Sequence, residues 1–150
     1  MFSISEIMTT ELFTLKPDDS LDDARCLMAV KGIRHIPIVD SDEKLLGVVT
    51  QRDVLSAAHS TLLSDPATAD NKESHIALSE IMTSKILTVD KDVSLRGTAM
   101  QLQKHKIGCL PVVHKGKLLG LVTDSDFVAV SINLIEQLEM TESEGMDIDE

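Results

Sequence analysis

Residues 34–53 read RHIPIVDSDEKLLGVVTQRD, and residues 108–126 read GCLPVVHKGKLLGLVTDSD. Each stretch has a proline inside an apolar run, then a polar turn, then a Leu-Leu-Gly strand that ends in a Thr-x-x-Asp tetrad. The prolines Pro37 and Pro111 are 74 residues apart, whereas the strand glycines that follow are 73 apart. The change of spacing falls in the polar turn, where chains tolerate changes of length. The sequence therefore predicts a duplicated unit of two similar halves.

Local signals predict the same order of elements in both halves. A short strand at residues 12–15 or 86–89 precedes a helix that is capped by Ser20 or Ser94. A hairpin that contains the proline follows, and a second helix begins after the tetrad threonine. Because proline has no N–H to donate, we expect the strand of Pro37 to begin there or to lie at a sheet edge.

The pattern divides the chain into four parts. We predict a first repeat at 1–62, a polar linker at 63–77, a second repeat at 78–140 and an acidic, disordered tail at 141–150. The tail follows from charge, since nine acidic residues and no Lys or Arg follow Lys117. This C-terminal excess accounts for most of the net charge of −11.

Composition and motifs argue against several function classes. No segment has the roughly 18 apolar residues of a spanning helix, and the N-terminus has no signal-peptide pattern, so we expect a cytoplasmic protein. The composition argues against nucleic-acid binding, because a basic face and aromatic stacking residues are missing. The five histidines lack metal-ligand spacing, and no nucleophile with a positioned base is recognisable. We therefore predict no metal site and no enzyme.

The tetrads at 50–53 and 123–126 have two readings. The pattern is close to a capping box, in which the hydroxyl and the carboxylate accept hydrogen bonds from backbone N–H groups. Each tetrad also follows a strand directly, where a helix N-terminus favours a phosphate and a carboxylate can bind a ribose diol. The roles are compatible, because Thr50 could cap the empty site and turn to a ligand afterwards.

The ordered set of motifs, occurring twice, resembles the cystathionine β-synthase (CBS) domain, and the tandem pair resembles a Bateman module. The resemblance covers nearly the whole chain. It implies an α/β (α+β) fold of two β-α-β-β-α repeats, packed through their sheets with pseudo-twofold symmetry. It also implies two clefts that hold adenosine-containing ligands such as AMP, ADP, ATP or S-adenosylmethionine, as regulatory ligands and not as required cofactors.

The resemblance and the tetrads together give two candidate nucleotide sites. Site 1 comprises Thr14, Leu15, Lys16, Arg34, His35, Ile36, Pro37, Thr50, Arg52 and Asp53. Site 2 comprises Thr88, Val89, Gly108, Cys109, Leu110, Pro111, Thr123 and Asp126. Site 2 loses the cations of site 1 and gains the carboxylate of Asp124, so we expect site 1 to bind nucleotide more tightly. Site 2 should prefer a less anionic ligand or stay empty.

These features predict a regulatory module that senses an adenosine-containing nucleotide and acts on a separate partner protein. Two alternatives stay open: a constitutive dimerisation or scaffold module with vestigial sites, and a regulator that responds to a metal or a nucleic acid. The resemblance also implies a homodimer, for which the exposed helix faces at 21–30 and 127–138 are candidate surfaces.

Overall fold

The computed structural model describes residues 3–62 and 75–148. Its helices are α1 (Leu21–Lys31), α2 (Gln51–Leu62), α3 (Leu78–Ile81), α4 (Leu95–His105) and α5 (Asp124–Ile148). Its strands are β1 (His35–Val39), β2 (Leu45–Thr50), β3 (Val89–Asp90), β4 (Cys109–His114) and β5 (Lys117–Thr123), and a 3₁₀ turn spans Ile4–Glu6. Most of the predicted linker lies outside the described residues.

The predicted helix caps are confirmed. The Ser20 hydroxyl accepts a hydrogen bond from the Asp23 N–H at 3.1 Å, and the Asp23 carboxylate accepts one from the Ser20 N–H at 3.0 Å. Gly32 ends α1 in the left-handed conformation, with φ of 64°. In the second half, the Ser94 hydroxyl accepts a hydrogen bond from the Gly97 N–H and so begins α4. These local signals therefore fix where α1 and α4 start.

The two proline strands have different neighbours. β4 pairs antiparallel with β5 and parallel with β3, so it is the central strand of a three-stranded sheet. It also begins two residues before Pro111. Pro111 is tolerated inside β4 because the parallel ladder to β3 starts only after it, at Val112. Strand β1 also begins before its proline, but within its sheet it pairs with β2 alone, so Pro37 lies in an edge strand as expected.

The same prolines shorten the strands predicted at 12–15 and 86–89. The Leu15 N–H donates to the Pro37 carbonyl at 3.2 Å, and the Val39 N–H donates to the Leu15 carbonyl at 3.0 Å. The next bond towards the N-terminus would need an N–H on Pro37, which proline lacks. The first strand is therefore a single bridge, and its equivalent in the second half is only β3.

The leading segment of each repeat pairs with the sheet of the other repeat. Thr9 and Leu121 exchange two backbone hydrogen bonds of 2.9 and 3.0 Å, and Thr83 and Val48 exchange two of 3.0 Å. The outer neighbour of β2 thus comes from the second repeat, and that of β5 from the first. This exchange joins the two halves by main-chain hydrogen bonds.

The two hydrophobic cores show the same exchange. Ile4, from the first repeat, is fully buried in the second core with Leu110 and Val112. Leu78, from the second repeat, is fully buried in the first core with Leu21 and Ile36. Each core is therefore completed by the other half.

The last helix is longer than predicted. α5 continues to Ile148, so residues 141–148 are helical where acidic composition indicated disorder. Glutamate is a good helix former, and neither Pro nor Gly interrupts residues 131–144. Acidic composition alone therefore does not end this helix.

Two glycines permit the close approach of the exchanged segments. A Cβ atom on Gly47 would lie 2.8 Å from both the Met82 Sδ and the Thr83 carbonyl oxygen. A Cβ atom on Gly120 would lie 2.7 Å from the Met8 Sδ and 2.9 Å from the Thr9 carbonyl oxygen. Both sulfurs belong to flexible side chains, but the two carbonyls are backbone atoms that pair with the sheet.

We expect Gly47→Ala and Gly120→Ala each to lower the free energy of unfolding by about 1–3 kcal/mol, because the added methyl group overpacks the crossing point. Urea denaturation measures the change. Gly108→Ala is the matched control, since its Cβ would lie 3.6 Å from its nearest neighbour, an Asp124 oxygen. Equal losses in the three variants would contradict this account of the two crossing points.

Candidate functional site

Two cavities open where the helices that follow the tetrad threonines begin. Cavity A has a volume of about 730 Å³ and cavity B of about 650 Å³. Cavity A is lined by Arg34, His35, Val48, Thr50, Gln51, Arg52, Thr83, Lys85, Ile86, Leu87, His105, Lys106, Ile107, Gly108, Cys109 and Pro111. Cavity B is lined by Thr9, Glu11, Leu12, Phe13, Gly32, Ile33, Arg34, His35, Gly108, Leu121, Thr123, Asp124 and Ser125.

Each cavity is built from both repeats. The pairing of Thr83 with β2 brings residues 85–87 of the second repeat to the cavity that Thr50 lines. The pairing of Thr9 with β5 likewise brings residues 11–13 to the cavity that Thr123 lines. The two cavities therefore follow the same backbone plan.

The charges of the two cavities differ strongly. Cavity A is lined by four cationic side chains, Arg34, Arg52, Lys85 and Lys106, and its lining includes no Asp or Glu. In cavity B, Glu11 replaces Lys85, Gly32 replaces Lys106, and Ser125 replaces Arg52. Asp124 adds a second carboxylate there, against the single cation Arg34. Cavity A is thus suited to an anion and cavity B is not.

The cations of cavity A are available to a ligand. Within residues 3–62 and 75–148, none of the four cations forms an ion pair with another side chain. All four are exposed to solvent, and they come in equal number from the two repeats. In a protein with a net charge of −11, this is a local concentration of positive charge at the junction of the halves.

The tetrads form reciprocal caps. The Asp53 carboxylate accepts a hydrogen bond from the Thr50 N–H at 2.9 Å, and the Thr50 hydroxyl accepts one from the Asp53 N–H at 3.1 Å. The equivalent distances at Thr123 and Asp126 are 2.8 and 3.4 Å. The capping reading is thus confirmed. The threonines also line the cavities, whereas the two aspartates are not among the lining residues.

The structure brings together only part of each predicted site. Of site 1, cavity A gathers Arg34, His35, Thr50 and Arg52. Of site 2, cavity B gathers Gly108 and Thr123, while Cys109 and Pro111 line cavity A instead. The remaining predicted residues line neither cavity: Thr14, Leu15, Lys16, Ile36, Pro37, Asp53, Thr88, Val89, Leu110 and Asp126. Several of these, such as Ile36 and Leu110, are fully buried in the cores.

The sequence missed the residues that the opposite repeat contributes. Lys85, Ile86, His105 and Lys106 line cavity A, although they belong to the second repeat. Nothing in the repeat pattern shows which sheet a leading segment joins, so each site was predicted within one repeat. The paired positions of Met8 and Met82, each just before an exchanged threonine, were the available signal.

Burial and neighbouring charges shift two pKa values at the junction. Burial lowers the pKa of His35, an effect that the Asp124 charge opposes and the Arg34 charge reinforces. Burial, followed by the charges of Asp126 and Asp124, raises the pKa of the Cys109 thiol to about 12. Near pH 7, therefore, His35 is mostly neutral and Cys109 is a protonated, weakly reactive thiol.

No group of three or more His, Cys, Asp or Glu that could hold a metal ion occurs among residues 3–62 and 75–148. No helix in those two ranges is both long and apolar enough to cross a bilayer.

A family model for the CBS domain matches the chain twice, at residues 4–60 and 78–133. The chain belongs to the CBS domain family. The two matches correspond to the two repeats and confirm both the resemblance and the fold of a CBS pair.

Solved structures share this CBS fold. A protein from Vibrio cholerae described as the acetoin utilization protein AcuB is 42% identical, with a TM-score of 0.79 over 93% of this chain and 97% of that one. CBSX2 in complex with AMP is 29% identical, with a TM-score of 0.75 over 89% and 98%. The CBS domain pair of MJ0100, in complex with 5′-methylthioadenosine and S-adenosyl-L-methionine, is 26% identical, with a TM-score of 0.72 over 89% and 98%.

Some curated relatives are much longer than this chain, whereas others are about its length. Homoserine O-acetyltransferases from Methanococcus vannielii and Methanohalobium evestigatum are 31% and 34% identical over 80% and 82% of this chain. The chain spans 23% of the length of each.

We expect Asp124→Asn to lower the pKa of His35 further, because the Asp124 charge is what opposes the lowering by burial. A titration of the His35 ring protons by NMR measures this, with Asp92→Asn as the control. A lowered pKa means that the unfolded chain binds the proton more tightly, so His35 also makes the protein less stable as the pH falls below about 6.5. An unchanged or higher His35 pKa in Asp124→Asn would contradict the geometry.

Proposed function

We propose that this CBS pair is a regulatory module that binds an adenine nucleotide through cavity A. The main observation in its support is that four cations, two from each repeat, line cavity A, and that its lining residues include no Asp or Glu. Arginine pairs with phosphate oxygens in a forked geometry, and lysine supplies a compact charge. The start of α2, at Gln51, adds the positive end of a helix dipole.

The rest of cavity A suits a nucleoside. Val48, Ile86 and Ile107 give an aliphatic wall against which a purine can pack, and the Thr50 hydroxyl can bond to ribose or phosphate. A ribose contact by Asp53 would use the carboxylate oxygen that does not accept the Thr50 capping bond. The structural neighbours that carry AMP or S-adenosyl-L-methionine support an adenosine ligand. The adenine position predicted between residues 14–16 and 35–37 stays a prediction.

Cavity B calls for a different ligand. Its two carboxylates, Glu11 and Asp124, repel the phosphates that cavity A attracts. We therefore propose that cavity B takes a less anionic adenosine compound, such as S-adenosylmethionine, or stays empty.

Regulation follows from the composite construction of the site. A ligand that contacts both repeats stabilises one arrangement of the halves over others, and it shifts the population towards that arrangement. We propose that a separate partner protein senses this shift. A homodimer stays a prediction, which light scattering can test.

A scaffold without a ligand is the second candidate. One observation favours it: neither tetrad carboxylate, Asp53 or Asp126, is among the residues that line the two cavities. A thermal-shift panel of AMP, ADP, ATP, S-adenosylmethionine and divalent metals separates the two functions. A ligand at 100 times its Kd adds about 2.7 kcal/mol of stability, whereas melting curves that do not move with any compound would favour the scaffold.

We expect Arg52→Ala and Lys106→Ala each to weaken ATP binding by roughly 10- to 100-fold, with little effect on adenosine. A hydrogen bond to a charged group contributes about 1.5–3 kcal/mol, and 1.4 kcal/mol is tenfold in affinity. Calorimetry measures both ligands. Lys104→Ala is the matched control, because Lys104 is an exposed lysine of α4 outside the lining of cavity A. Equal weakening in the three variants would show that only overall charge matters.

A further inference from the structure

Three residues line both ligand cavities: Arg34, His35 and Gly108. We call them the shared wall. The Gln51 N–H, at the start of α2 beside cavity A, donates a hydrogen bond to the Arg34 carbonyl at 2.9 Å. The Asp124 N–H, at the start of α5 beside cavity B, donates one to the Gly108 carbonyl at 3.1 Å. The shared wall is therefore attached to the helix start of each cavity.

Arg34 carries the permanent charge of the shared wall. It is one of four cations that line cavity A, and it is the single Arg or Lys in the lining of cavity B. The equivalent position of the second repeat, 74 residues later, is Gly108, so the wall has one guanidinium where a symmetric pair would have two. Arg34 is exposed, and it forms no ion pair within residues 3–62 and 75–148. Its guanidinium is thus committed to neither cavity.

The carboxylates of cavity B act on the same wall. Glu11 and Asp124 line cavity B, and a Cβ atom on Gly108 would lie 3.6 Å from an Asp124 carboxylate oxygen. Burial lowers the pKa of His35, and of the neighbouring charges Asp124 raises this pKa whereas Arg34 lowers it. While cavity A is empty, Arg34 is therefore the cation that offsets the two carboxylates of cavity B.

A polyphosphate in cavity A changes this balance. Its negative charge attracts the guanidinium of Arg34, since arginine pairs with phosphate oxygens in a forked geometry. The carboxylates of cavity B then lose the cation that offsets them. A positively charged ligand meets less repulsion in cavity B as a result, and a second polyphosphate meets more.

We propose that Arg34 is a shared cation that couples the two cavities, so that a nucleotide in cavity A raises the affinity of cavity B for a cationic adenosine compound. The proposal rests on the nucleotide site proposed for cavity A. The coupling is reciprocal, because each ligand changes the affinity for the other by the same factor. Double occupancy is thus favoured for one anionic and one cationic ligand, and disfavoured for two nucleotides.

Calorimetry with ATP and S-adenosylmethionine tests the coupling. We expect saturating ATP to tighten S-adenosylmethionine binding by about fivefold at low salt, the lower end of typical coupling, because the charges involved are exposed. Saturating S-adenosylmethionine should tighten ATP binding by the same factor, and high salt should reduce both effects. S-adenosylhomocysteine, which lacks the sulfonium methyl group and its positive charge, should show no such gain.

Two charge-matched variants separate the role of Arg34 from that of overall charge. Arg34→Gln should weaken ATP binding, strengthen S-adenosylmethionine binding in the absence of ATP, and abolish the coupling. Arg52→Gln removes the same charge from a residue that lines cavity A but not cavity B. It should weaken ATP binding as well, but it should retain the coupling factor.

Coupling that survives in Arg34→Gln, or that Arg52→Gln abolishes equally, would overturn the proposal. So would ATP and S-adenosylmethionine that bind independently or compete, or S-adenosylmethionine that does not bind the ATP-saturated protein. Each of these outcomes leaves the nucleotide site of cavity A in place. A protein that fails to bind any adenine nucleotide would refute both the coupling and the proposed function.

Discussion

The exchange of leading segments between the repeats is the constraint on which the rest of the structure depends. Thr9 bonds to Leu121 and Thr83 bonds to Val48 through the main chain, and each crossing passes over a glycine that leaves room for it. Ile4 and Leu78 follow their segments into the opposite cores. The halves are therefore held in one relative position by backbone pairing and by shared cores together.

That relative position creates the cavities. Once Thr83 is paired with β2, residues 85–87 have to pass the start of α2, and the cations of the second repeat face those of the first. The duplicated backbone makes the second cavity by the same route. Side chains then distinguish the two, since Lys85 and Lys106 of cavity A correspond to Glu11 and Gly32 of cavity B. Fold symmetry thus sets where ligands can sit, and the residues that break the symmetry set which ligands are favoured.

Much of the fold could be predicted because its signals are local. The caps at Ser20 and Ser94, the glycine that ends α1, and the two hairpins need only neighbouring residues. The prediction failed where long-range geometry decides. The strand at 12–15 is limited by the missing N–H of Pro37, which lies more than 20 residues away. The extent of α5 was missed for another reason, since acidic composition indicated disorder where the chain is helical.

The candidate site could likewise be predicted only in part. Thr50 and Arg52 were found because they follow a recognisable strand, whereas Lys85 and Lys106 were missed because they reach cavity A only through the exchange. A sequence repeat shows that two halves are alike, but it does not show which half completes which site. The tetrads illustrate the limit, since the same pattern predicts a cap and a ligand contact, and the hydrogen bonds of Asp53 establish only the cap.

A crystal structure of the protein with ATP tests the central claim most directly. The account predicts phosphate oxygens within hydrogen-bond distance of at least one cation from each repeat, Arg34 or Arg52 on one side and Lys85 or Lys106 on the other. A nucleotide held by residues of one repeat alone, or with its phosphates in cavity B, would contradict it.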